Sequence, residues 1–299
     1  MTFWGSALRA ATAALVLGTT ASVTNAQNAS FVSPDIVVLG DSQISFGSGP
    51  AYVDFLSDLE ASCSPNMRQK RSLRKLGEGS VAVIGVRSTS IHSWTARGGA
   101  AKGSVCDVDK KWKVNAGSYG VVNTSENPFV QIGQGRNYQF CRQGQSPFEA
   151  MFRDGYYSPR LLILTFLGNA TKRWAENSEL TQRDANRLSA QLPADVPCVF
   201  MTTAPAYTKK VSDRRLKAQK NIKAALERSG MRCTFVEGIT PDTVAANQGN
   251  KSFFRRNKSG KVKDPFHPNE RGARHHLKLR APAICDAIFT ELKTAQPPS

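Results

Sequence analysis

The amino-acid sequence predicts an α/β fold in which a parallel sheet is covered by helices on both faces. Short apolar runs recur along the chain, as expected for strands buried on both sides. Between them lie segments whose apolar residues fall at i, i+3, i+4 and i+7, the spacing of amphipathic helices. Strands that alternate with helical patterns are typical of parallel sheets.

Each predicted element follows from its local pattern. The predicted strands are 35–39, 81–86, 161–167, 198–202 and 232–236. The predicted helices are 50–61, 180–191, 213–229 and 270–293. Pro282 predicts a kink or break in the last helix, because proline has no N–H to donate. Segment 97–158 is rich in Gly, Asn, Ser and aromatic residues and predicts an insertion of loops and short strands, including 120–123 and 129–132.

The N-terminus has the pattern of an export signal. Arg9 precedes an apolar stretch, and small residues at 24–26 offer a cleavage site. The stretch is too short to span a bilayer, and no later run is long enough. In this chain of 299 residues we therefore expect a signal peptide over 1–26, one domain over 27–294 with its insertion, and a frayed tail over 295–299. After cleavage near Ala26 the protein would be secreted or periplasmic, without a membrane span.

Six cysteines follow that cleavage site, and an even number in an exported chain indicates up to three disulfides. We expect Cys106–Cys141 to close the insertion and Cys198–Cys233 to join neighbouring strands. The remaining pair, Cys63–Cys285, follows by elimination. Because no CxxC pair is present and histidine is scarce, we predict no metal site and no cofactor.

The net charge of +17 favours a polyanionic partner. Export argues against nucleic acid, so an anionic envelope polymer or membrane surface is expected; alternatively, the charge only keeps the protein soluble. Segment 251–263 holds six basic residues and no acid, which would suit either a clamp on an acidic polymer or a solvated loop. The basic segment 209–223, which includes Arg215, is interpreted as an exterior helix face. His275 and His276 are interpreted in the same way.

Three polar signatures lie where the predicted fold would bring them together, since open α/β sheets bind ligands beyond the carboxyl ends of their strands. Gly-Asp-Ser-Gln at 40–43 follows the first strand, and Leu-Gly-Asn at 167–169 follows the central one. Asp-Pro-Phe-His-Pro at 264–268 precedes the last helix. Together they predict a polar site at one edge of the sheet.

These residue types can build a nucleophilic site. The hydroxyl of Ser42 needs a base, and His267 is suitable. Asp264, three residues earlier, can reach the far imidazole nitrogen from within a turn. The backbone N–H of Ser42 and the side-chain amide of Asn169 would bind the developing oxyanion. The alternatives are a turn or helix-capping role for Ser42 and Asn169, and a turn role for His267.

In order and approximate spacing, the three blocks resemble those of the SGNH (GDSL-type) hydrolases, over roughly residues 35–290. The resemblance implies a flavodoxin-like three-layer α/β/α fold and a Ser-His-Asp site that hydrolyses or transfers acyl esters. Position by position, it implies that Ser42 is the nucleophile, that Asn169 binds the oxyanion, and that Asp264 and His267 are acid and base. The chain departs from the family's pattern at Gln43, where leucine is usual, and at Ala170, where aspartate is usual.

Further site residues are less closely specified. In the family, a glycine supplies a further backbone N–H to the oxyanion. Gly85 and Arg87 are the two candidates for this position in the present sequence, and the Arg87 guanidinium could also bind an anionic substrate. Trp174 would either stack on a sugar ring or pack in the core. Arg255 and Arg256, in the basic segment, are candidate substrate contacts.

The leading functional hypothesis is an exported esterase that removes small acyl groups, above all acetyl, from an envelope or extracellular carbohydrate. One alternative is a polysaccharide O-acyltransferase with the same residues, and another is a lipase or lysophospholipase. A catalytically silent polysaccharide-binding protein is the non-enzyme alternative. A binder would have no reason to retain Ser42, Asp264 and His267 together, which favours an enzyme.

Overall fold

The main sheet has the predicted parallel architecture. A computed structural model describes residues 33–45, 48–86, 89–97, 117–121, 144–153 and 155–294. The strands of the main sheet are β1 (Ile36–Gly40), β2 (Val81–Gly85), β3 (Gly117–Val121), β4 (Leu161–Thr165), β5 (Cys198–Met201) and β6 (Thr234–Val236). They lie in the order β3-β2-β1-β4-β5-β6, with β3 antiparallel to β2 at one edge and the other five parallel. All five predicted strands are confirmed.

A separate two-stranded sheet lies near the C-terminus. Its strands, β7 (Phe254–Arg256) and β8 (Val262–Pro268), pair antiparallel. The helices are α1 (Ser42–Ser45), α2 (Gly49–Ser57), α3 (Leu59–Cys63), α4 (Met67–Leu73), α5 (Ile91–Thr95), α6 (Thr171–Glu176), α7 (Ser178–Gln191), α8 (Lys209–Arg228), α9 (Pro241–Asn247) and α10 (Glu270–Thr294). Short 3-10 turns at Arg74–Leu76 and Lys251–Phe253 and a π-helical turn at Glu149–Arg153 complete the described elements.

Two groups of helices cover the sheet. Tyr52 of α2 and Leu277 and Ile288 of α10 share one buried cluster with Val38 of β1. Helices α5 to α8 form a second group that packs together. Residues of β1 and β4 are buried on both faces, which explains why their sequences are continuously apolar. The predicted three-layer α/β/α arrangement is therefore confirmed.

Several details differ from the sequence prediction. The predicted helix 50–61 is interrupted at Asp58, whose backbone is non-helical and whose carboxylate caps α3 by accepting the N–H of Ala61. Of the predicted kink or break at Pro282, the break is wrong, because α10 continues through this residue. Pro282 and Lys278, whose carbonyl loses its helical donor, both lie on the exposed side, where water can replace the missing bond. The edge strand β3 begins three residues before the predicted strand 120–123.

Two side-chain placements also correct the sequence interpretation. His276 is not on a solvated face: it is buried, and burial lowers its pKa to about 3. Arg215, assigned to an exterior face, is also buried.

Two of the three predicted disulfides are confirmed. Cys63 at the end of α3 is bonded to Cys285 of α10, and Cys198 at the start of β5 is bonded to Cys233, just before β6. The predicted Cys106–Cys141 bond lies outside the described residues, as do the signal peptide, the tail and the predicted strand 129–132. Over the part of the chain that the structure describes, no helix is both long enough and apolar enough to cross a membrane.

Candidate active site

The three polar signatures meet at the carboxyl edge of the main sheet. Ser42 is the first residue of α1, immediately beyond β1. A side chain at Gly40 would lie 2.5 Å from the carbonyl oxygen of Thr165, so glycine lets β1 and β4 approach closely below the nucleophile. Asn169 lies beyond β4, and Asp264 and His267 lie on β8.

A continuous chain of hydrogen bonds joins serine, histidine and aspartate. Ser42 Oγ lies 2.9 Å from His267 Nε2, and His267 Nδ1 lies 2.7 Å from Asp264 Oδ2. The other carboxylate oxygen of Asp264 accepts the backbone N–H groups of Phe266 and His267. Asp264 Oδ1 therefore holds the backbone turn, while Asp264 Oδ2 orients the imidazole of His267. A catalytic aspartate orients its histidine in this way.

The electrostatics keep Asp264 ionised. Burial by itself would raise its pKa, but the hydrogen bonds from His267 and from the N–H of Phe266 outweigh that effect and lower the pKa to about 2. The carboxylate can therefore stabilise the imidazolium that forms when His267 takes the proton of Ser42.

The Asn169 amide stands beside the nucleophile. Its Nδ2 lies 3.4 Å from Ser42 Oγ and donates to the carbonyl oxygen of Thr89 at 2.9 Å. The second bond fixes the orientation of the amide, so that its other hydrogen is directed toward the nucleophile. This placement suits an oxyanion donor.

The two candidates for the remaining oxyanion donor are placed differently. The N–H of Val86 bonds to the carbonyl of Gly40, and backbone groups alternate between the two neighbours of a strand. Gly85 therefore directs its N–H toward β3, where it pairs with Gly117, and away from Ser42. Arg87 lies outside the described residues, so its role stays a prediction.

Asp41 ties the first signature to the second. One of its oxygens accepts the N–H of Gln43, and the other accepts the N–H groups of Leu167 and Asn169, each at 3.4 Å. Burial raises the pKa of Asp41, against these hydrogen bonds and the nearby charge of Arg215. The segments that carry Ser42 and Asn169 are thus held together by one buried carboxyl group.

Sequence reasoning missed Arg215, a side chain that joins the segment carrying Ser42 to the segment carrying Asp264 and His267. Arg215 donates from Nη1 to the carbonyl of Ala204 at 2.7 Å and from Nη2 to the carbonyl of Phe266 at 2.9 Å. With its amide oriented to satisfy both partners, Gln43 accepts from Arg215 at 3.0 Å and donates to the Phe266 carbonyl at 3.3 Å. Burial lowers the pKa of Arg215 to about 10, against the attraction of Asp41 and Asp264.

The periodicity of α8 contains the signal that Arg215 is buried. Ser212, Ala218, Ile222 and Ala225 form the buried stripe of the helix, and Arg215 falls within it at the i+3 position from Ser212. A basic residue at a core-facing position implies a partner in the interior, because an unpaired charge there is costly.

The predicted substrate contacts separate into buried and exposed residues. Trp174 is 0% exposed and donates from Nε1 to Asp184, so it cannot stack on a sugar and is removed from the substrate-binding set. Arg255 and Arg256 are exposed on β7, beside the strand that carries Asp264. Phe266, which sequence reasoning left out, is 47% exposed between Asp264 and His267. Its position inside the third signature was the available signal.

The described residues contain no group of three or more His, Cys, Asp or Glu side chains that could hold a metal ion. The groups that the site brings together are the Ser42 hydroxyl, the His267 imidazole and the Asn169 amide, the last two each within hydrogen-bond distance of Ser42 Oγ.

No family model matches the sequence, and no curated protein matches it either. Solved structures show a distant likeness. The chain is similar to a DUF4886 family protein from Bacteroides uniformis, with a TM-score of 0.41 and 11% identity over 88% of this chain and 96% of that one. It is also similar to a GDSL-like lipase from Bacteroides thetaiotaomicron, with a TM-score of 0.38 and 10% identity over 84% of this chain and 87% of that one.

A third similar structure is a peptidoglycan O-acetylesterase, with a TM-score of 0.31 and 14% identity over 50% of this chain and 41% of that one. A likeness this distant concerns the fold alone and defines neither an activity nor a substrate.

Proposed function

We propose that this chain is an exported serine esterase that removes small acyl groups, above all acetyl, from an envelope or extracellular carbohydrate. The observation that carries the proposal is the hydrogen-bonded chain from Ser42 Oγ through His267 to Asp264, with the Asn169 amide 3.4 Å from the same oxygen. A nucleophile, its base, the group that orients the base and an oxyanion donor are the parts that ester cleavage requires.

The proposed reaction has two steps. Ser42 Oγ attacks the ester carbonyl carbon while His267 Nε2 accepts the hydroxyl proton, and Asn169 and the backbone N–H of Ser42 bind the oxyanion. The C–O bond to the carbohydrate then breaks, and His267 returns the proton to the leaving alkoxide. In the second step His267 takes a proton from water as the water attacks the acyl-enzyme. The C–O bond to Ser42 Oγ then breaks, His267 returns the proton to Ser42 Oγ, and the carboxylic acid leaves.

Several features support the finer parts of the proposal. Two disulfides suit an oxidising compartment, in agreement with the predicted signal peptide. Among the described residues, the exposed large apolar side chains are Met67, Phe266 and Leu279, and only Phe266 lies in the site. A lipase that binds long acyl chains needs a larger apolar surface there, so this distribution favours a short acyl group.

The test is hydrolysis of p-nitrophenyl acetate, butyrate and octanoate by the wild type and by Ser42→Ala. We expect the shortest ester to be the best substrate, and we expect Ser42→Ala to lose about 10⁴-fold or more of kcat, because the covalent step is removed. Ser57→Ala, at an exposed position of α2, is the matched control and should keep full activity.

Labelling with a fluorophosphonate identifies the nucleophile independently of the substrate. Mass spectrometry should find the label on Ser42 in the wild type and no label in Ser42→Ala. An active Ser42→Ala protein, or a label on another residue, would overturn the proposal. Acetyl transfer to an added sugar hydroxyl in preference to water would show the acyltransferase instead.

A further inference from the structure

The hairpin that carries the acid–base pair also carries a cluster of exposed cations. They are Arg255, Arg256, Lys258, Lys261 and Lys263. No acid among the described residues forms an ion pair with any of the five. The one acid in this segment is Asp264, which bonds to His267. The hairpin therefore presents five uncompensated positive charges to solvent.

The exposed cations of α8 provide a contrast. Lys209 pairs with Asp213, and Lys223 pairs with Glu237, so part of the charge on that helix is compensated on the protein surface. Like charges concentrated without such partners repel one another and oppose folding. An anionic ligand would remove this repulsion from the hairpin.

The cation cluster is continuous with the catalytic machinery. Arg255 is the register partner of Asp264, and neighbouring strands lie about 4.8 Å apart. His267 follows three residues along the same strand. An open groove beside the hairpin is lined by Arg255, Arg256 and Lys258, and Asn269, two residues beyond His267, also lines it.

We propose that this hairpin binds an acidic polysaccharide and holds the ester-bearing chain across Ser42. The proposal rests on the esterase function and specifies its substrate class. The planar guanidinium groups of Arg255 and Arg256 match the geometry of sugar carboxylates, and the lysines add charge that strengthens the attachment of a polyanion. The exposed ring of Phe266 offers an apolar surface to the C–H face of a sugar unit beside the nucleophile.

Two other polyanions fit the hairpin less well. An anionic membrane surface usually binds proteins through several inserted apolar side chains together with cations, and Phe266 is the one exposed large apolar residue on this hairpin. Nucleic acid has no carboxylic ester in its backbone for Ser42 to attack. A polysaccharide that bears both carboxylates and acyl esters can bind the hairpin cations through its carboxylates and present an ester to Ser42.

The experiment compares two charge-matched triple variants. The first, Arg255→Gln/Arg256→Gln/Lys258→Gln, neutralises the hairpin. The control, Arg68→Gln/Arg71→Gln/Arg74→Gln, removes the same charge from exposed positions of α4 and the turn that follows it. These control residues precede β2 and lie near the amino ends of the strands, at the edge opposite to Ser42.

The substrates are also matched: chemically O-acetylated polygalacturonate, which is acidic, chemically O-acetylated dextran, which is neutral, and p-nitrophenyl acetate. At low salt, we expect the hairpin variant to raise KM for the acidic polymer by about tenfold or more, with kcat nearly unchanged. The effect should shrink at 1 M salt, where the Debye length falls to about 3 Å. The other two substrates, and the control variant, should show changes of less than about twofold.

Each outcome bears on one proposal. Equal losses on acidic and neutral substrates would overturn the polymer clamp, because the hairpin would then act through the geometry of His267. So would equal KM changes in the two triple variants, or tighter binding to phosphatidylglycerol vesicles or to DNA than to polygalacturonate. A wild-type protein that fails to hydrolyse p-nitrophenyl acetate would instead overturn the esterase function.

Discussion

The two halves of the candidate site are held in different ways. Ser42 follows a strand whose residues are all buried, and Asp41 fastens it to the loop after β4. Asp264 and His267 lie instead on a two-stranded hairpin outside the main sheet, with exposed residues on both strands. The nucleophile half is thus positioned by the core, whereas the acid–base half needs other contacts to bring it into register.

Buried polar bonds supply those contacts. Arg215 and Gln43 both bond to the carbonyl of Phe266, and the N–H of Tyr207 bonds to the carbonyl of Pro265 at 2.9 Å. Each bond reaches the backbone next to His267 from the main domain. A site whose residues lie partly beyond the main sheet and partly on a separate hairpin depends on such supports, because catalytic geometry tolerates errors of only about 0.5 Å.

Among the tests of this comparison, the largest expected effect on kcat comes from removing the Arg215 link. Arg215→Met should lower kcat for p-nitrophenyl acetate by about 10- to 100-fold with little change in KM, because misplacement by about 1 Å has costs of this size. Arg214→Met, at the exposed neighbouring position, is the matched control. The measurement is a kcat and KM comparison at 25 °C, together with a thermal unfolding curve to establish that both variants are folded.

Gln43→Leu provides a milder test, since it removes the hydrogen bonds of Gln43 to Arg215 and to the Phe266 carbonyl but leaves the charged Arg215 in place. We expect a smaller loss of kcat, and we expect fluorophosphonate labelling of Ser42 to slow in parallel. If Arg215→Met stays folded and fully active, the hairpin that carries Asp264 and His267 does not need the contact with Arg215. The idea that buried polar bonds position this half of the site would then be wrong.

A separate effect should appear in the pH dependence of stability. His276 lies behind the site, where it lines a small cavity with Gln43, Thr203 and Pro268, and neither ring nitrogen has a hydrogen-bond partner among the described residues. Burial lowers its pKa to about 3, and Arg280 and His275 act in the same direction. The unfolded chain, with a pKa of about 6.5, therefore binds the extra proton between pH 6.5 and 3.

Folding stability should consequently fall as pH drops through that window, by up to about 1.4 kcal/mol per pH unit from this group. The His276→Gln variant has no imidazole at this position to take up a proton on unfolding, so its stability should fall less with pH. Its unfolding free energy should therefore approach or exceed that of the wild type as pH falls from 7 to 4. Urea unfolding at each pH measures the difference, with His275→Gln as the control. Parallel curves for the wild type and His276→Gln would contradict a neutral, buried His276.

The smallest expected effect tests the assignment of Trp174 to the interior. It follows Asn169 on the nucleophile side, and its Nε1 donates to Asp184 at 2.8 Å. Trp174→Phe should lower the unfolding free energy by about 1–2 kcal/mol through the lost hydrogen bond. The KM for O-acetylated polygalacturonate should stay within about twofold, because the ring does not reach the substrate. A large rise in KM with unchanged stability would return Trp174 to the binding surface.

Local pattern was sufficient for much of the fold and for the reacting groups. Continuous apolar runs identify β1 and β4, because strands buried on both faces have no polar side to display. Asp264 and His267 were predictable as a pair, since three residues of a turn bring carboxylate and imidazole together. Their approach to Ser42 followed from the rule that ligands gather at strand ends in open sheets.

Other contacts could not be read from the chain. The capping of α3 by Asp58, which divides a helix whose periodicity appeared continuous, depends on one local backbone conformation. Arg255 lies opposite Asp264 because of the register between β7 and β8. That register contains irregularities, which the sequence does not reveal. The hydrogen bond of Trp174 to Asp184 joins two helices whose relative placement no local pattern specifies.

The sequence by itself determined the five parallel strands in their order along the chain, the excess positive charge and the identity of the candidate nucleophile, base and acid. These follow from composition, periodicity and short-range geometry, which are properties of the chain. Only the tertiary structure decided what the cations contact: Arg215 bonds to the backbone carbonyl of Phe266 inside the protein, whereas Arg255 and Arg256 face solvent beside the candidate site. The physical reason is that desolvation and pairing of a charge depend on neighbours distant in sequence, which only the folded chain brings together.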